Sequence, residues 1–235
     1  MDRDLVWDGC LNARDLGGLA TTDGRTTRWG AVVRSDNPTF LTDAGWAALR
    51  AHGVRTVLNL RTDGTTDPEV DEAQRPADVT FRRVAVEDLT LPRFVERCVD
   101  TGLWCTPLHI GLMLEHWPER CAAAVTAVAD APPGGVVIAC TRGCDRTGLV
   151  AFLLLGLAGV AAADIAADWE RSIDRLRPRD PDQEDIVTAL LAQEGTTVRG
   201  AIEDALGAHD LAARLVEHGL TPTNLAAVRE RLVGP

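Results

Sequence analysis

Apolar residues occur along this chain in two patterns: short solid runs bounded by turn residues, and longer stretches in which they recur every three or four positions. Positions 31–34 and 54–61 are runs of the first kind, rich in valine and leucine, as strands covered on both faces tend to be. Positions 79–86 alternate and predict a further strand, 136–139 a buried central one, and 5–7 a short strand near the start. Between the first two runs, Thr42 reads as a helix N-cap with Leu41 placed to staple. Trp46, Ala48 and Leu49 mark the inner face of that helix, and His52-Gly53 ends it. Strand, helix and strand in that order predict an α/β protein: a central, mostly parallel twisted sheet flanked by helices.

The remaining segments are helical or looped. Pro118 opens a helix that runs on over 119–129, and Pro132-Pro133-Gly134-Gly135 turns the chain into the central strand. Positions 149–157 are too uniformly apolar to be anything but a core helix, and 163–172 form another. After a linker at 177–181, helices are expected near 184–193, 197–206 and 211–218, with a last one starting at Thr221-Pro222, giving a helical C-terminal part over 183–233. Positions 62–77 are polar and carry Gly64, Pro68 and Pro76, so they read as a loop at the carboxyl end of a strand, where α/β sheets bind ligands. Positions 87–117 are apolar but broken by prolines and read as short helices over the pocket. Nothing requires a second core, so residues 1–235 are expected to form one domain.

One stretch carries chemistry. The strand 136–139 runs straight into Cys140-Thr141-Arg142-Gly143-Cys144-Asp145-Arg146-Thr147-Gly148, and the core helix follows. A loop between a strand and a helix N-terminus gathers backbone N–H groups and the positive end of the helix dipole around one point. That makes an anion site and favours a thiolate placed there. Cys140 is therefore the expected nucleophile. The five residues between Cys140 and Arg146 let the loop curl until the guanidinium faces the sulfur across a bound tetrahedral oxyanion, two of whose oxygens it grips. Gly143 permits torsions that a side chain would forbid, and the Thr147 hydroxyl is placed to donate to the sulfur when it leaves.

Cys140-x-x-Gly143-x-x-Arg146-Thr147 resembles the signature loop of the cysteine-dependent protein tyrosine and dual-specificity phosphatases. A rhodanese-type loop has a shorter step to its arginine. Asn12-Ala13-Arg14-Asp15-Leu16-Gly17-Gly18 resembles the N-terminal element of the bacterial subgroup, with Arg14 and Asp15 read as braces for neighbouring loops. The helix over 163–172 matches another segment of that subgroup, in which an aromatic, an acid and a Ser recur. The resemblance implies a single phosphatase domain with signature loop 140–147, a helical lid over 88–117, and substrate held by Thr141, Arg142, Gly143 and Cys144, with Asp63 of the adjoining loop also expected at the substrate. It departs from the pattern at Ala139, where relatives carry His, and at Cys144, where the subgroup often carries Lys.

Composition narrows the partners. The formal charge of −11 argues against nucleic acid and against an anionic membrane surface, both of which need a basic face. The start of the chain shows no signal peptide, and its longest apolar run, about a dozen residues, is short of a membrane span of roughly 20. Six cysteines lack metal-ligand spacing, so no metal and no cofactor is expected, and a reactive thiolate suits a reducing cytoplasm.

Phosphomonoester hydrolysis through a cysteinyl-phosphate also needs a general acid. Asp145 is the first candidate, because myotubularin-like phosphatases give that role to the Asp before the loop arginine. Asp63 in the adjoining loop is second. Asp67 lies in the same loop, Glu87 and Asp88 follow the next strand, and Asn59 stands where relatives often end a strand with a carboxylate. Alternatives are a phosphatase of a small phosphorylated metabolite or phosphoinositide, and a non-catalytic phosphate-binding module. Cys144 reads either as a small filler or as a thiol that traps oxidised Cys140.

Overall fold

The computed structural model describes residues 2–60, 62, 74–100, 102–103, 105–208 and 210–234. Its sheet has five strands: β1 (Arg14–Asp15), β2 (Val32–Ser35), β3 (Val54–Asn59), β4 (Thr80–Arg83) and β5 (Gly135–Ala139), in the order β1-β2-β5-β3-β4. β2, β5, β3 and β4 run parallel, and β1 is antiparallel to β2. β5 is central and buried at every position, as its solid valine and isoleucine run predicts.

The two faces of the sheet follow the period of two along a strand. Val33, Val57, Val137 and Ala139 point to one side, where helix α1 (Asp43–Ala51) contributes Trp46 and Leu49 together with Trp7 and Leu41. Thr42 caps α1 through its side chain, 3.2 Å from the Gly45 amide. Val32, Leu58, Val136 and Ile138 point to the other side, into a larger core. That core is built by α3 (Leu108–His116), α4 (Pro118–Ala129), α5 (Asp145–Leu157), α6 (Ala162–Leu176) and the C-terminal helices α7 (Gln183–Gln193), α8 (Val198–Gly207), α9 (Leu211–Glu217) and α10 (Pro222–Val233). The proline-broken segment before α3 holds the short helix α2 (Pro92–Phe94) and a π-turn over Val95–Val99. Phe94 and Cys98 anchor it in the same core.

Three expectations are corrected. Positions 5–7 are not a strand; only an isolated bridge joins Asp4 to Arg14. Exposed Val6 beside buried Trp7 imitates strand alternation, but the stretch is a loop that drops Trp7 against α1. The 79–86 strand is only Thr80–Arg83, an edge strand with little burial; Val84 N–H makes the last rung, to the Asn59 carbonyl, and the chain then leaves the sheet. The core helix starts at Asp145, four residues earlier than its apolar run suggests, so Asp145, Arg146 and Thr147 form its first turn. Among the described residues no helix is long and apolar enough to cross a membrane.

Candidate active site

Ala139 pairs with Ser35 on one side and Asn59 on the other, so β2, β5 and β3 end level and the loop from Cys140 to Cys144 emerges beyond all three carboxyl ends. Cys140 is 4% exposed, at the base of this crest. Because α5 begins immediately after Cys144, the unpaired amides of its first turn face the region the loop encloses. The helix opens with Gly148 N–H donating to the Cys144 carbonyl at 2.7 Å, and the Cys144 side chain makes no cap.

Gly143 sits at φ +69°, and a Cβ there would lie 2.6 Å from the Ser35 carbonyl oxygen and 2.7 Å from the Asp36 nitrogen. Both obstacles are backbone, so no other residue fits without moving β2. Gly148 is required for a different reason: a Cβ would meet the Trp169 ring at 2.6 Å, which sets how closely α5 and α6 pack.

A buried polar network supports the loop from below. Asn12 Nδ2 donates to the carbonyls of Arg142 (3.0 Å) and Gly143 (3.1 Å), and Arg34 Nη2 donates to the Gly143 carbonyl at 2.8 Å. Arg34 Nη1 reaches Asp168 Oδ2 at 2.5 Å, Arg14 Nε reaches Asp168 Oδ1 at 3.0 Å, and Arg3 also pairs with that carboxylate. Ser172 Oγ accepts from both Arg14 (2.8 Å) and Arg34 (3.1 Å), and Asn12 Oδ1 accepts from Arg14. Burial alone would raise the Asp168 pKa, but the three guanidiniums overcome it and hold the carboxyl far below the usual range. Arg14, fully buried, is itself lowered to about 10 by desolvation and by its neighbour Arg34. Asp15 acts on neighbouring loops, accepting from the amides of Gly17 and Gly30 and facing His52 Nε2 at 2.7 Å. Arg14 and Asp15 are thus braces, as read from the sequence.

Arg146 is held in the first turn of α5. Its Nη2 donates to Thr141 Oγ1 (2.9 Å), its Nη1 to the Leu60 carbonyl (3.3 Å), and its Nε faces Glu87 Oε2 at 3.5 Å. Glu87 also accepts from Thr62 at 2.9 Å. Burial pushes the Glu87 carboxyl up, and the charges of Arg146 and His109 partly offset this. Thr147 is fully buried, and among the described residues its hydroxyl has no hydrogen-bond partner. The Arg142 side chain turns away from the loop centre to Asp180 Oδ2 (3.2 Å), Gln183 Oε1 (3.1 Å) and Cys105 Sγ (2.9 Å).

The candidate acids separate. Asp145 Oδ1 accepts from the Cys105 backbone N–H, and Oδ2 lies 3.7 Å from Cys105 Sγ. Glu87, Asp145, His109 and Met113 line one small closed cavity behind the loop. Asp88 is drawn off by Thr90 (2.5 Å) and Arg120 (2.8 Å), which keep its pKa low and remove it as a proton donor. Asp63 and Asp67 lie outside the described residues. Cys144 is fully buried beside Cys105, a neighbour 39 residues away that its sequence context does not reveal.

Comparison with known proteins agrees with this geometry. A family model described as tyrosine phosphatase family matches residues 5–234. A Cupriavidus necator protein, provisionally named a tyrosine-protein phosphatase, is 34% identical over 178 residues, covering 73% of this chain and 64% of the relative. A tyrosine-protein phosphatase of Nostoc commune is 30% identical over 158 residues, covering 65% and 52%. The chain therefore spans less than two thirds of the length of either relative.

Proposed function

The chain belongs to the tyrosine phosphatase family, and we propose that it hydrolyses phosphomonoesters in two steps, with the phosphoryl group carried in between on Cys140. In the first step Cys140 Sγ attacks phosphorus in line, the S–P bond forms, and the P–O bond to the leaving group breaks. Asp145 gives its proton to the departing oxygen. In the second step a water attacks phosphorus, loses its proton to Asp145, and the S–P bond breaks to release phosphate. The Thr147 hydroxyl, buried and without a partner among the described residues, donates to the departing thiolate.

The single observation that supports this reading best is the placement of the loop. Cys140 directly follows the central strand, α5 begins five residues later, and Arg146 stands in its first turn braced by Thr141 and Glu87. Amides and a guanidinium arranged before the reaction stabilise charge that develops in the transition state, and such donors are worth about 10²- to 10³-fold each. Cys105 N–H holds one Asp145 oxygen. Thr141, Arg142, Gly143 and Cys144 supply the loop backbone around the phosphate, with Arg142 tied outward by its side chain.

The substrate class we propose is an aryl phosphate such as phosphotyrosine, with dual specificity for alkyl phosphates where Asp145 supplies the proton. A thiolate mechanism fits a reducing cytoplasm, and the six cysteines of the chain are all unpaired. Phosphate release from phosphotyrosine peptides, phosphoserine peptides, inositides and sugar phosphates, each with and without vanadate, tests the reading. Vanadate-sensitive turnover of the aryl phosphates is expected. No turnover of any of them together with no vanadate binding would overturn it.

A further inference from the structure

We infer that Cys105 and Cys144 form an oxidisable dithiol that closes into a disulfide between the start of α5 and the segment leading into α3. The two sulfurs and the Asp145 carboxylate lie within 4.8 Å of one another. Both cysteines are fully buried, and the Cys144 sulfur also lies 4.0 Å from the Cys105 carbonyl. The pair stands apart from the proposed hydrolytic chemistry, which uses neither thiol.

Cys105 is held by every group it has. It sits at φ +59°, in the left-handed region that a residue with a side chain rarely adopts. Its N–H donates to Asp145, its carbonyl accepts from Trp169 Nε1 at 3.0 Å, and its sulfur receives Arg142 Nη2 at 2.9 Å. Strain of this kind persists only where the surroundings over-determine it, and it concentrates at functional positions. The same contacts argue against a metal in the cluster. A cation would have to displace the Arg142 guanidinium from one ligand and the Cys105 amide from another, and would sit beside a fixed positive charge.

A disulfide removes those objections, since it needs no added charge. The sulfurs must approach to about 2.05 Å, and the exposed-side partner of Cys105, Arg142, is the contact given up. The oxidant is hydrogen peroxide. The first attack falls to Cys144. Its sulfur bonds to one peroxide oxygen, the O–O bond breaks, and the departing oxygen leaves as water with the thiol proton. The Cys105 sulfur then attacks the sulfenic sulfur, the S–S bond forms, the S–O bond breaks, and a second water leaves with the Cys105 proton. Two thiols lose two electrons in total, and the peroxide is reduced to two waters.

Trypsin separates the relevant cysteines. Cleavage after Arg142 and Arg146 leaves Cys144 on a four-residue peptide, Cys140 on peptide 121–142, and Cys105 on peptide 98–120. The full chain is treated with hydrogen peroxide at increasing ratio, quenched in acid, alkylated and digested, and cross-linked peptides are sequenced by mass spectrometry. The expected product is peptide 143–146 joined to Cys105, absent after dithiothreitol and absent in Cys105→Ser. Peptide 143–146 joined to Cys140 or Cys98, or recovered fully alkylated at peroxide levels that oxidise Cys140, would overturn the inference. The wild-type map decides the matter alone if the Ser variant does not fold.

Discussion

Replacing Asp168 by Asn tests whether the buried ion network holds the loop. The carboxylate is 2% exposed and faces Arg14 at 0% and Arg34 at 1%, so both guanidiniums lose their counter-charge without gaining water. The carboxamide still accepts from Arg14 at one position but turns a donor toward Arg34 Nη1. Removing one partner of a buried ion pair costs about 3–5 kcal/mol. In a chain of this size that is roughly 6–20 °C in the unfolding midpoint, at about 2–4 °C per kcal/mol. The loop feels the change through Arg34, whose other nitrogen holds the Gly143 carbonyl at 2.8 Å. A shift of about 1 Å there is expected to lower turnover about 10²-fold. There is a pH signature as well. A carboxyl whose folded pKa lies below its ordinary 3.8 contributes stability above that value and loses it as pH falls further. Wild type should therefore lose stability below about pH 4 by a component missing from the variant. Urea unfolding at pH 7 and pH 3.5, with aryl phosphate turnover at pH 7, measures all three effects. A loss under about 1 kcal/mol, with turnover unchanged, would refute the reasoning.

Other substitutions probe single contacts. Gly143→Ala should lose stability by more than the roughly 1 kcal/mol of left-handed strain, because its Cβ strikes β2 backbone, and vanadate affinity measured by calorimetry should fall with it. Arg146→Lys should keep the fold by circular dichroism but lose about 10²- to 10³-fold in kcat/KM, since an ammonium cannot make the planar two-point grip. Asp145→Asn should lose far more activity on an alkyl phosphate than on a nitroaryl phosphate, whose phenolate leaves without a proton, and its basic pH limb should flatten; equal losses on both would move the acid elsewhere. Glu87 is pushed up by burial, so its protonated form is favoured on folding and stability drops as pH rises through its folded pKa. Glu87→Gln should remove that decline, which sets in as pH rises above the ordinary 4.5, in thermal unfolding while lowering kcat through Arg146.

Much of this was readable in the chain because solid valine runs and capping residues act locally. Val136 to Ile138 can only be a covered strand, and Thr42 and Thr221 announce their helices by side chains that do cap. The start of α5 was not readable, because Cys144 offers no side-chain cap and the polar Asp145-Arg146-Thr147 looks like loop until the helix amides are seen. The support of the loop was legible only in pieces. Asn12, Arg14 and Ser172 stand out as motif residues, but the bonds by which Asn12 and Arg34 hold the Gly143 carbonyl join positions more than a hundred residues apart, and Arg34 has no local mark at all. Strand alternation misled at Val6 and Trp7, where a single buried tryptophan sufficed to produce it. Cys105 was invisible as a partner of Cys144 for the same reason: only packing of the α3 approach against α5 brings them together.

The central claim is that Cys140 carries the phosphoryl group. An aryl phosphate mixed with the protein and quenched in acid within the first turnover should leave one phosphoryl group on peptide 121–142, located at Cys140 and absent from Cys140→Ser. Turnover that proceeds with no phosphoryl group on that peptide, or with the group on a carboxylate or hydroxyl elsewhere, would contradict it.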